Sequence, residues 1–184
     1  MKYQRLGHSR IMVSSICLGS MTLGERNTWK IAGMKKGEVS QIIKQAYDAG
    51  INFFYTAEIY ENGDSEIMLG DSIREFRDEV IIATKVRGRT GEGMNQRGNS
   101  RLHVLTAIRK SLERLQTDYI DLYQFHGLDN LTDPSEAVDA MQYLIDEGLV
   151  MYPGVSNFSA WGIALFDTMA KEGVLTVPDC TNEL

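Results

Sequence analysis

The chain has 184 residues, 43% hydrophobic and 24% charged, a length and balance suited to one substantial globular core and hence one domain, 1–184. A net charge of −6 leaves no basic stripe to meet phosphates, which argues against a nucleic-acid binder. No apolar run approaches the roughly 20 residues of a membrane span, and the opening MKYQRLGHSR lacks the apolar centre of a signal peptide, so a cytoplasmic protein is expected.

Residues 3–6 and 11–13 flank the turn-rich Gly7-His8-Ser9-Arg10 and predict an antiparallel hairpin. The apolar run 15–20 (SICLGS) reads as a first parallel strand, and the polar stretch 22–37 as a surface loop. Val39, Ile42, Ile43 and Ala46 repeat at helical spacing and predict a helix over 38–49, with Gly50 at its C-cap. A strand over 51–56 and a helix over 65–75 follow. Residues 80–86 are almost wholly apolar, as in a strand buried on both faces. The glycine-rich stretch 87–100 reads as a solvated lid; without a GK[ST] ending it is no phosphate cradle.

Helix 101–115, strand 119–126, a helix opened by Asp133-Pro134 and closed by Gly148, strand 150–157 and helix 160–171 complete the rhythm. Residues 174–177 look like one further strand. Six parallel strands with five intervening helices predict an α/β fold. A doubly wound open sheet satisfies the same rhythm. Polar residues after strand upon strand, and no GxGxxG turn after the first, favour an incomplete (β/α) barrel of TIM type.

In such a barrel the strand ends collect the chemistry. Tyr60 lies past the second parallel strand, Lys85 on the third, His126 at the end of the fourth, Ser156 and Asn157 at the fifth. A phenol with an ordinary pKa near 10 exchanges protons poorly at neutral pH. A neighbouring ammonium lowers that value, and an imidazole can orient a substrate oxygen. Together the three predict a general acid for a carbonyl oxygen that gains negative charge. Cys17 and Cys180 show no CxxC spacing and read as two buried thiols. The sequons at Asn130 and Asn157 read as chance matches, and His8, His103 and His126 have no metal-ligand spacing.

The segments YQRLGHSRIMVSSICLGSMTLGE, GINFFYTAEIYENGDSEIMLG, VIIATKV, LERLQTDYIDLYQFHG and GVSNFSAW together resemble the aldo-keto reductase family. That resemblance implies a (β/α)₈ barrel that binds NADPH and reduces small aldehydes or ketones. Carried over, it makes Tyr60 the proton donor, Lys85 the group that lowers its pKa, and His126 the group that orients the carbonyl. Ser156 and Asn157 would hold the nicotinamide carboxamide, with the backbone of Gly19, Ser20 and Met21 close by. Two departures stand out. The family's fourth catalytic residue is an aspartate, and here that position is Tyr55, which predicts a depressed Lys85 pKa and a crowded nicotinamide end. The family's last two strands, which bind the pyrophosphate and 2′-phosphate, have no counterpart, so a homo-oligomer covering the open barrel is expected, or a non-catalytic assembly or regulatory role.

Overall fold

A computed structural model describes residues 1–7, 9–25 and 34–171. Strands β1 (Tyr3–Arg5) and β2 (Met12–Ser14) pair antiparallel, confirming the hairpin. Five strands then form one parallel sheet: β3 (Leu18–Gly19), β4 (Phe53–Tyr55), β5 (Ile81–Val86), β6 (Ile120–Phe125) and β7 (Val150–Val155). Helices α1 (Lys36–Asp48), α2 (Asp64–Ile73), α3 (Arg101–Leu115) and α4 (Pro134–Asp146) make the crossovers, and α5 (Ala160–Lys171) follows β7. The strands are shorter than the apolar runs that predicted them, because the run ends turn out of the ladder. The expected strand at 174–177 and Cys180 lie outside the described residues.

Strand order is β3-β4-β5-β6-β7, with each strand beside its sequence neighbour. A doubly wound sheet reverses order at a switch point; no reversal occurs here. The architecture is therefore an incomplete (β/α) barrel.

Register divides the sheet into two faces. Phe54 stands beside Ile82, and Phe125 stands between Val86 and Val155. This face packs against Val39 and Ile43 of α1, Leu69 of α2, Ile108 of α3 and Met141 of α4, and it forms the main core. The opposite face carries Gly19, Tyr55, Ala83 and Leu122 in one row, and Lys85, Gln124 and Gly154 in the next.

Local signals set the helix ends. The Ser100 hydroxyl accepts from the His103 N–H at the start of α3, and the Asp133 carboxylate accepts from the Ser135 N–H ahead of Pro134. Helix α2 stops at Ile73, before the predicted Glu75, where tighter turns take over through Glu79. Gly70 lets α2 approach α3, since a Cβ there would stand 2.5 Å from the carbonyl oxygen of Leu115. Cys17, the residue before β3, is exposed rather than buried, although it stands near enough to Lys85 for the two to interact electrostatically. No helix among the described residues is long and apolar enough to cross a membrane.

Candidate active site

Lys85 stands on β5, on the sheet face away from the main core, and its side chain is wholly buried. Its Nζ donates to the Thr56 carbonyl at 2.8 Å and to the Tyr60 hydroxyl at 3.1 Å. Two N–H bonds are what a neutral amine offers. Burial lowers its pKa to about 6, against the raising fields of Cys17 and Glu66, so Lys85 is mainly uncharged at neutral pH.

Tyr60 follows β4, in a short turn where Glu61 and Asn62 take positive φ values of 49° and 56°. That reversal returns the tyrosine over the strand ends. Its hydroxyl donates to the Tyr55 hydroxyl at 3.3 Å, and its ring meets His126 edge to face at 5.7 Å. The lowering of the Tyr60 pKa that a charged Lys85 would give is not found, in keeping with the weakened help expected once Tyr55 replaces the aspartate. Burial and then the hydrogen bond with Tyr55 raise it, and an uncharged Lys85 supplies no opposing field. His126 is pushed down to about 4 by burial, Lys85 and Arg87, so its ring is neutral at pH 7. Three segments of chain thus place Tyr60, Lys85 and His126 at one end of the sheet.

Tyr55 lies beneath this group. The Lys85 Nζ stands 3.3 Å from the centre of its ring, on the face where a carboxylate was expected. Glu58 does not substitute. It is buried, accepts the Arg87 N–H at 2.8 Å and lies 3.5 Å from His103 Nε2.

Sequence reasoning missed a second carboxylate. Glu66, fully buried on α2, accepts from the Thr84 hydroxyl at 2.6 Å and from Arg114 Nε at 2.6 Å. Its position was legible, since Glu66, Leu69, Gly70 and Ile73 repeat at i, i+3, i+4 and i+7 on the buried stripe. Ile67, off that stripe, is exposed.

The residues expected near a cofactor divide into two groups. Ser156 is buried, and the Asn157 amide donates to its hydroxyl at 2.9 Å and to the His126 carbonyl at 3.1 Å. Nearby on the same face, the buried Gln124 Oε1 has no hydrogen-bond partner. A carboxamide, which both donates and accepts, fits such a set. Ser20 is committed to the fold: its N–H and its hydroxyl both donate to the Tyr55 carbonyl, at 2.8 and 2.9 Å. Gly19 and Met21 remain exposed beside it.

The aldo/keto reductase family model matches residues 15–177. The chain belongs to that family. A protein of Oryza sativa subsp. japonica named "Probable voltage-gated potassium channel subunit beta" is 36% identical to this member over 89% of the chain and 51% of its own length. A protein of the same name from Arabidopsis thaliana is 37% identical over the same shares. "Uncharacterized oxidoreductase YqkF" of Bacillus subtilis (strain 168) is 35% identical, over 85% of the chain and 49% of its own length. The chain therefore spans about half the length of these curated relatives.

Proposed function

We propose that this aldo/keto reductase reduces aldehydes or ketones to alcohols with NADPH. The observation that carries the reading is the convergence of Tyr60, Lys85 and His126, with Lys85 Nζ 3.1 Å from the Tyr60 hydroxyl. NADPH, held at its carboxamide by Ser156, Asn157 and Gln124, would supply the hydride for the carbonyl carbon and leave as NADP⁺. The chain's own groups handle the oxygen. His126, neutral at pH 7, donates a hydrogen bond that orients the carbonyl. Tyr60 gives its O–H proton to that oxygen as negative charge develops there. Its phenolate is then stabilised by the two groups already touching it, the Lys85 amine and the Tyr55 hydroxyl.

A second reading has a specific observation in its favour. Tyr55 covers Lys85 in place of a carboxylate and leaves the amine uncharged, which describes an impaired catalyst serving in assembly or regulation. Two relatives are named as channel subunits, which is consistent with this role.

Titration with NADPH, followed by cofactor fluorescence, separates the readings. Saturable binding supports the reductase. No binding at millimolar NADPH removes it and leaves the non-catalytic role.

A further inference from the structure

Arg87 is the residue at which β5 leaves the sheet, and its backbone is held in an unfavourable conformation. Its φ is 136°, within the range that favours glycine. The conformation is fixed from both sides. Its N–H donates to the buried Glu58 carboxylate at 2.8 Å, and its carbonyl accepts the Gly98 N–H at 2.9 Å. Glu58 is itself backed by His103 at 3.5 Å. A strained non-glycine residue persists only where its surroundings over-determine it.

The constraint sets where the guanidinium lies. It runs along Gly127, whose missing Cβ would meet the Arg87 side chain at 3.5 Å. Gly127 directly follows His126, and Arg87 is close enough to help depress the His126 pKa. Both line a cavity of about 540 Å³, with Ile59, Leu128 and Trp161 as apolar walls. Among the described residues that line it, Arg87 is the one charged side chain. Among the described residues, no carboxylate lies within ion-pairing distance of its guanidinium. Asp129 feels its field, but that carboxylate is taken by the Thr132 hydroxyl and the N–H groups of Asn99 and Leu131.

A cation held beside the carbonyl-orienting histidine, with no carboxylate among the described residues lining the cavity, matches a substrate that brings its own anion. We infer that Arg87 determines specificity, selecting carbonyl substrates that carry a carboxylate on an apolar, aromatic-sized body, an assignment that rests on the carbonyl-reductase reading. The guanidinium fork would pair with the carboxylate, and the exposed Trp161 indole would cover the apolar body.

The test compares binding of 4-carboxybenzaldehyde and 4-methylbenzaldehyde to the whole chain by ligand-observed NMR, in wild type, Arg87→Gly and Arg87→Lys. Glycine accepts this φ freely, so Arg87→Gly removes the charge without straining the fold. The expected wild-type preference for the carboxylate is about tenfold, weakening with salt. It falls to near one in Arg87→Gly and to an intermediate value in Arg87→Lys. A wild-type ratio near one, a ratio unchanged in Arg87→Gly, or binding of neither aldehyde overturns the assignment. NADPH oxidation with the same aldehydes is read separately. A preference that follows Arg87 in a protein that oxidises no NADPH keeps the site and ends the reductase reading. NADPH oxidation with no preference ends only the role of Arg87.

Discussion

The Lys85 amine lies 3.3 Å from the centre of the Tyr55 ring, and the same lysine donates to the Tyr60 hydroxyl. An aromatic face attracts a cation but does not neutralise it as a carboxylate does. The ring also keeps water from the nitrogen, so desolvation prevails and the pKa falls to about 6.

Replacing Tyr55 by aspartate should reverse that balance. A carboxylate beside Lys85 restores the charged form, and the ammonium then lowers the Tyr60 pKa. Carbonyl reduction at pH 7 should rise on the order of tenfold in Tyr55→Asp. Initial rates of NADPH oxidation check this; an unchanged or lower rate means that Tyr55 is not the limiting residue.

Stability should depend on pH with a definite sign. Folded Lys85 loses its proton near pH 6, whereas an unperturbed lysine holds it to 10.5. His126 is depressed to about 4 from 6.5. In both cases the unfolded chain binds more protons, so stability rises with pH: from about 4 to 6.5 through His126, and above 6 through Lys85. The urea midpoint should therefore climb between pH 6.5 and 8.5 in wild type, and stay nearly flat in Lys85→Met. Equal slopes in the two proteins would contradict an uncharged Lys85.

Most of the fold was legible because period and punctuation agree. Val39, Ile43 and Ala46 repeat at helical spacing, Pro134 opens a helix, and the apolar run at 80–86 marks a strand buried on both sides. The site was legible in its members and not in its electrostatics. Tyr60, Lys85 and His126 could be named from strand ends, but the Thr56 carbonyl that accepts from Lys85 is a backbone group with no sequence signature. Glu58 could not be placed either. Its partners, Arg87 and His103, are 29 and 45 positions away in the chain. Cys17 lies in an apolar run and so reads as buried, yet it is exposed just ahead of the two-residue β3.

The Glu66–Arg114 pair behind the sheet should be costly to break from one side. Arg114→Met leaves a carboxylate buried without its cation, lowering stability by about 3 kcal/mol, whereas Glu66→Leu with Arg114→Met should fall by much less. Urea unfolding of the two variants distinguishes them; equal losses would show that the charges contribute little.

Gly70→Ala should separate α2 from α3. The new Cβ meets the Leu115 backbone, which a side-chain rotation cannot relieve. A loss of about 2 kcal/mol is expected from overpacking. A variant as stable as wild type by thermal unfolding would mean that the helices close with room to spare.

The central claim is that Tyr60 delivers the proton to a carbonyl oxygen. NADPH consumption with an aromatic aldehyde, compared between wild type and Tyr60→Phe, tests it most directly. Phenylalanine keeps the ring that packs on His126 and removes only the hydroxyl, so cofactor binding should persist while the rate falls by about 10²- to 10³-fold. Turnover in Tyr60→Phe equal to wild type, or no turnover in wild type under saturating NADPH, would contradict it.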